Sequence, residues 1–115
     1  MSKQQAKLRA YKKTKKLVEK ELKESDKWVC IFTGQPIPDH IDFSGVCWHH
    51  LKGRTGDLIA DKKFLRPYID EKYHTGGEGY HNKPFSELKT LWWWNGFLSR
   101  VKEIDRDLWY YLKEK

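Results

Sequence analysis

The pattern of hydrophobic and polar positions changes several times along the chain, and each change predicts a new element. From residue 3 to residue 25 no Gly or Pro occurs, and apolar residues recur at near-helical spacing. This pattern predicts an amphipathic helix with lysines on its wet face. The stretches 28–32, 45–51 and 64–69 are short, apolar and rich in β-branched or aromatic residues. Each of them predicts a strand, and the first should run into a turn at Thr33-Gly34.

The last third of the chain predicts aromatic helices. Asp70 is a suitable N-cap for a turn, and Pro84 suits the first turn of a later helix. Asn95-Gly96 predicts a break or bend that would give two helices instead of one. Three consecutive tryptophans at 92–94 point around most of a helix, so at least one should be partly exposed. Packing of these rings is favoured over stacking on unpaired bases, because aromatic stripes in helices usually face the core.

These elements together predict one small α+β domain preceded by a basic arm. The length of 115 residues allows one domain with a modest core and is too short for two. Residues 1–27 form the arm and hold ten basic and four acidic side chains, which account for nearly all of the net charge of +7. Residues 28–115 form the domain. A concentrated basic segment attracts nucleic acid, although a solvated helix face explains the charge equally well. The lysines of the arm expected to contact nucleic acid are Lys12, Lys13, Lys15 and Lys16.

The hydropathy of the chain indicates a cytoplasmic protein. No apolar run approaches the roughly 20 residues of a membrane span, so no membrane partner is expected. No apolar segment follows the basic N-terminus as it does in a secretory signal. Cys30 and Cys47 are the only cysteines, and in a reducing cytosol we expect thiols rather than a disulfide.

Four of the five histidines lie within 33 positions of one another. His49 and His50 are neighbours on a predicted strand, so their side chains should point to opposite faces, one towards a metal and the other towards a substrate. His74 and His81 flank a Gly-rich stretch that lets them approach the strand. Three imidazoles with open coordination positions make a catalytic type of metal site, and a neutral histidine suits general-base work. The fifth, His40, lies in a polar Pro-rich loop and is assigned to the surface.

The histidines lie in a recognisable sequence context. Trp48-His49-His50-Leu51-Lys52-Gly53-Arg54, then Leu65-Arg66-Pro67, then His74 and His81, resembles the HNH endonucleases of phages and bacteria. The resemblance covers about residues 28–98. It implies a small ββα-metal core flanked by the N-terminal basic helix and the C-terminal aromatic helices. It also implies DNA as the substrate and the cytoplasm of a bacterial or phage-infected host cell as the location.

The resemblance also implies roles for individual residues. The adjacent pair would be catalytic, with His50 as the general base that takes a proton from the attacking water, and His49 as a metal ligand. One divalent ion per site is implied, and imidazoles suit Zn²⁺, Ni²⁺ or Mn²⁺ better than Mg²⁺. The ion would neutralise the charge that develops on the scissile phosphate. The implied metal ligands are His49, His74 and His81. The side chains expected to hold adjacent phosphates are Lys52 and Arg54.

Two departures from the family pattern keep other functions open. The middle motif position, usually Asn, falls near 61–64, where this chain has no Asn, and the gap from His74 to His81 is wider than usual. These departures favour a non-catalytic nucleic-acid-binding module on a degenerate HNH-like fold. The three adjacent tryptophans suggest instead a small protein-interaction factor. A monomer and a homodimer both fit the sequence.

Overall fold

The computed structural model describes residues 2–51, 62–77 and 79–115, and it begins with the basic helix α1, Lys3–Glu24. Ser2 caps this helix, because its hydroxyl accepts from the Gln5 N–H while the Gln5 side chain accepts from the Ser2 N–H. At the other end Asp26 adopts a left-handed φ of 58°, and the Lys27 N–H donates to the Leu22 carbonyl. The helix predicted over residues 3–25 is confirmed.

A two-stranded antiparallel sheet follows, made of β1, Cys47–His50, and β2, Leu65–Tyr68. The register pairs Cys47 with Tyr68 and His50 with Leu65. The two strands predicted in the middle of the chain are therefore confirmed, each over four residues. Pro67 lies inside β2 and has no N–H to donate, but its carbonyl accepts from the Ile31 N–H at 2.9 Å.

The strand predicted at 28–32 is wrong. Val29 makes one isolated bridge to Pro36, and the chain turns back at once because the Gly34 N–H donates to the Cys30 carbonyl. The Arg100 side chain holds this turn by donating to the carbonyls of residues 31 and 32, at 2.8 and 2.7 Å. The apolar run is therefore buried by packing and not by a strand ladder, which the hydrophobic pattern alone does not distinguish.

Three α-helices complete the described chain. They are α2, Phe85–Leu88, α3, Trp94–Ile104, and α4, Arg106–Lys113. The break predicted at Asn95-Gly96 is wrong, since α3 runs through both residues. The chain breaks instead at Asp105, which is extended and accepts from the Leu108 N–H at 3.1 Å, so it caps α4. Short 3-10 helices at Lys62–Phe64 and Glu71–Tyr73 flank β2, and Asp70 caps the second as predicted.

The sheet separates two hydrophobic clusters, and the molecule is a small α+β domain. Cys47 and Tyr68 face the larger cluster, which holds the C-terminal helices. Trp48 and Leu65 face the smaller cluster, which α1 completes with two buried side chains, Val18 and Leu22. The second half of the basic helix therefore belongs to the hydrophobic core. Among the described residues, no helix is long and apolar enough to cross a membrane.

The tryptophans at 92–94 divide between core and surface. Trp93 and Trp94 are buried in the larger cluster, where Trp93 meets the edge of Phe32 and both pack on Phe97. Trp92 is 64% exposed and contacts the edge of Tyr73. The expectation that most of these rings pack while one stays partly exposed is confirmed.

Candidate metal centre

Three of the predicted histidines converge on one point. His49 comes from β1, His74 directly follows the 3-10 helix Glu71–Tyr73, and His81 lies in the turn before α2. The centroids of the His74 and His81 rings are 4.6 Å apart, and the His49 ring lies 5.0 and 5.3 Å from them. One ligand nitrogen from each of the three lies within 4.8 Å of the others, which is close enough for one cation to bind all of them.

A backbone hydrogen bond joins His74 and His81 across the wide gap in the sequence between them. The His81 N–H donates to the His74 carbonyl at 2.8 Å, so the two histidines are backbone partners across the loop. Gly76 and Gly79 permit this closure. A Cβ on Gly76 would lie 2.6 Å from the Lys72 Cα, and one on Gly79 would lie 2.6 Å from the His74 carbonyl oxygen. The glycines thus bring the two imidazoles together without helical spacing.

The three imidazoles form a site that is closed at one end and open at the other. His49 is 2% exposed and packs against the rings of Phe32 and Tyr80, with centroids 5.2 and 5.1 Å away. His74 is half-buried and His81 is exposed. A cation bound here would have apolar rings behind it and open space in front of it, as a catalytic site requires.

The nitrogens of His49 show that the site fits a cation. Within the described parts of the chain, neither ring nitrogen of His49 has a hydrogen-bond partner. A buried polar atom without a partner lowers stability, and a bound metal ion would satisfy one of the two nitrogens. The donor set of three imidazoles suits Zn²⁺ and similar ions.

Burial in the site favours the neutral forms of His49 and His81. Burial, followed by the charges of His74 and His81, holds the pKa of His49 well below its usual range. Burial and then His74 lower the pKa of His81. A neutral imidazole is the form that binds a metal, so the lowered pKa values keep both residues in a form that a cation could bind at physiological pH.

His50 lies on the other face of the strand. Among the described residues, the group that could hold one ion contains the three converging histidines and not His50. The His50 ring is 8% exposed and lies 5.4 Å from the ring of Tyr11 on α1, between centroids. The Nζ of Lys15 lies over the same Tyr11 ring, 4.1 Å from its centroid. The prediction that His49 and His50 face opposite ways is confirmed.

The predicted nucleic-acid contacts are only partly within the described residues. Lys52 and Arg54 lie outside them. Lys12, Lys13 and Lys16 are exposed on α1, and Lys15 is partly buried beside Tyr11. His40 is exposed in its loop, as predicted. Cys30 and Cys47 are free thiols, and neither joins the three histidines in the group that could hold an ion.

Sequence reasoning missed the residues that surround His74. Tyr68 and Glu71 both approach its Nδ1, at 2.8 and 3.4 Å. Tyr68 was predicted only as part of a strand, and Glu71 was not predicted to take part in the site. The spacing of Glu71 and His74, three positions apart after an Asp70 cap, is the signal that could have found the first of them.

Comparisons with known proteins give this chain no relative: no protein-family model, no curated protein and no solved structure matches it. The HNH interpretation stays a prediction that depends on the residues themselves.

Proposed function

We propose that this protein is a metal-dependent DNA endonuclease with an HNH-like, ββα-metal type of site. The observation that carries the proposal is the convergence of His49, His74 and His81 around a buried nitrogen without a partner among the described residues. Three protein ligands with an open side are typical of catalytic ions rather than structural ones. A divalent ion held there would supply the positive charge that stabilises the phosphate and the leaving 3′-oxygen.

The hairpin supports the HNH-like assignment, and the segment after it differs from the family pattern. β1 ends in the histidine pair, and β2 runs beside it, as in the hairpin of that family. In the family a following helix supplies the remaining ligands. Here the short 3-10 helix ending before His74 and the turn containing His81 take that place. The interpretation is therefore an HNH-like site in which the backbone pairing of His74 with His81 replaces a turn of helix.

His50 is the proposed general base, and its position restricts where DNA can bind. His49 and His50 leave β1 on opposite faces, so a phosphodiester reached by both must lie across the end of the strand. There His50 would accept the proton of the attacking water. The basic side of α1 lies next to His50 through Tyr11 and Lys15. Lysines on that helix would bind the DNA phosphates next to His50 without reading the DNA sequence.

A second candidate function is a non-catalytic nucleic-acid-binding module in which the metal only stabilises the fold. The burial of His50 against Tyr11 favours this candidate, because a general base must reach water. The protein-interaction alternative has less support, since two of the three tryptophans that suggested it are in the core.

Plasmid nicking tests the proposal directly. Purified protein is incubated with supercoiled plasmid and Zn²⁺, Ni²⁺, Mn²⁺ or Mg²⁺ in turn, beside the variants His49→Ala and His50→Ala. His40→Ala is the matched control, because His40 is an exposed loop histidine. We expect metal-dependent nicking in the wild type and the control and its loss in both other variants. Tight DNA binding with no cleavage under any metal would overturn the enzymatic proposal and support the second candidate.

A further inference from the structure

We infer that Tyr68 and Glu71 are positioning residues that hold the proton of His74 on Nδ1 and leave its Nε2 lone pair for a cation. The inference rests on the proposed metal site, which it deepens by naming what orients one of the three ligands. Neither residue touches the cation directly in this assignment. Both act through His74.

Short contacts join the three side chains. The Tyr68 hydroxyl lies 2.6 Å from Glu71 Oε1 and 2.8 Å from His74 Nδ1. Glu71 Oε2 lies 3.4 Å from the same nitrogen and accepts from the Thr75 hydroxyl at 2.8 Å. The Tyr68 and His74 rings also pack together, with centroids 4.7 Å apart. His74 is therefore held both at one nitrogen and over one ring face.

The direction of each hydrogen bond follows from the charge of Glu71. The Glu71 side chain is more than half exposed, so at neutral pH it is a carboxylate and can only accept. The Tyr68 hydroxyl keeps its proton at neutral pH, as a phenol ordinarily does, and lies 2.6 Å from Glu71 Oε1. That proton goes to Glu71. The Tyr68 oxygen is then left to accept from His74, which requires the proton on Nδ1.

Selection of one tautomer matters for metal binding. A neutral imidazole has an N–H on one ring nitrogen and a lone pair on the other. A hydrogen-bond acceptor that binds the N–H therefore decides which nitrogen keeps the lone pair. With Nδ1 occupied by Tyr68 and Glu71, Nε2 is the nitrogen of His74 that remains for a cation. Outer partners of this kind typically change metal affinity by about 10–100-fold when they are removed.

The fold places these partners before any ion binds. Tyr68 ends β2 opposite Cys47, two residues along β1 from His49. Glu71 opens the 3-10 helix that Asp70 caps, and His74 follows Glu71 three residues later. The network thus ties the strand that pairs with the His49 strand to the turn that carries His74, and it sets the distance between two ligands.

Histidine ring NMR on the metal-free, ¹⁵N-labelled protein tests the tautomer at a pH where the rings are neutral. His74→Gln identifies the His74 signals by their loss. We expect the Nδ1–H form of His74 in the wild type and a shift towards the Nε2–H form in Tyr68→Phe and Glu71→Gln. Tyr73→Phe is the matched control, because its ring packs on Trp92 and Trp93. A wild type in the Nε2–H form, or an unchanged tautomer in both test variants, would overturn the inference.

Zn²⁺ affinity, measured by titration calorimetry, provides the second readout. We expect Tyr68→Phe and Glu71→Gln to bind Zn²⁺ about 10–100-fold more weakly than the wild type, with Tyr73→Phe unchanged. Glu71 is 54% exposed in its side chain, so its variant carries the test even where a change at buried Tyr68 disturbs folding. Zn²⁺ affinities equal to that of the wild type in both variants would overturn the positioning role alone. An Nδ1–H tautomer in a wild type that binds no metal would instead overturn the proposed function.

Discussion

The two faces of β1 place identical neighbouring residues in different environments. His49 faces other imidazoles and the aromatic rings of Phe32 and Tyr80, all beside the larger cluster. His50 faces Tyr11 on α1, an element from the other end of the chain. The first face brings three imidazoles close together around one point. The second lies beside a helix rich in lysines.

This difference shows that a one-residue step along a strand can separate two chemical environments. Side chains alternate across a strand, so the backbone assigns each histidine to a face whatever its chemistry. The packing behind each face then decides what the residue can do. On one face, the neighbouring imidazoles of His74 and His81 suit His49 to the proposed role of metal ligand. On the other face, His50, the proposed general base, lies next to α1, the helix proposed to bind DNA.

The largest expected effect concerns the packing of α1 behind the His50 face. Leu22→Ala should destabilise the protein by about 2–5 kcal/mol, because a buried leucine is removed from the smaller cluster. Leu17→Ala, on the same helix but 44% exposed, should change stability by less than about 0.5 kcal/mol. Urea denaturation measures both. A stability loss in Leu22→Ala as small as that in Leu17→Ala would mean that α1 does not pack in the core behind His50.

Metal affinity tests the comparison itself. His49→Gln should weaken Zn²⁺ binding by at least about 100-fold, since it removes a ligand and not merely a ligand's partner. His50→Gln should stay within about twofold of the wild type, because its ring faces α1 and outer partners of the ligands are untouched. Titration calorimetry with Zn²⁺ gives both numbers. A decrease in His50→Gln as large as that in His49→Gln would remove the distinction between the two faces.

DNA affinity tests the basic helix beside His50. Replacing Lys12, Lys13 and Lys16 by Gln should weaken DNA binding by about tenfold or more at moderate salt. It should also reduce the slope of log K against log salt by about 0.9 for each phosphate that the helix no longer neutralises. These lysines are exposed, so folding should be unaffected. Lys83 and Lys89, which lie outside α1, are changed together to Gln as the charge control. An unchanged slope in the triple variant would exclude α1 from the DNA interface.

The smallest expected effect is the pH dependence of stability in the metal-free protein. The pKa values of His49 and His81 are lowered in the folded state, so the unfolded chain binds protons more readily. Stability should therefore be complete above the unfolded pKa of 6.5 and should decrease as the pH falls below it. Urea midpoints between about pH 8 and pH 5 measure this decrease. His49→Gln should reduce it and His40→Ala should not; a midpoint that stays constant in the wild type would contradict the lowered values.

Several parts of this structure were predictable because they depend on local physics. Helix α1 follows from a long stretch without Gly or Pro, and the opposite orientations of His49 and His50 follow from strand alternation. The interruption at Asn95-Gly96 was predicted and did not occur, because a glycine permits a break without requiring one. Asp105 broke the helix instead, since its carboxylate provides a cap for the next one.

The sequence by itself determined which residues could bind a metal, but only the tertiary structure decided how they meet. Nothing local in the sequence shows that the backbones of His74 and His81 pair. Nor does it show that Tyr68 and Glu71 would hold one of those rings. Spacing describes neighbours along the chain, whereas ligand geometry depends on contacts between β1, β2 and the turns after them. Such contacts form only when the whole core packs, and that is why they could not be read from the pattern.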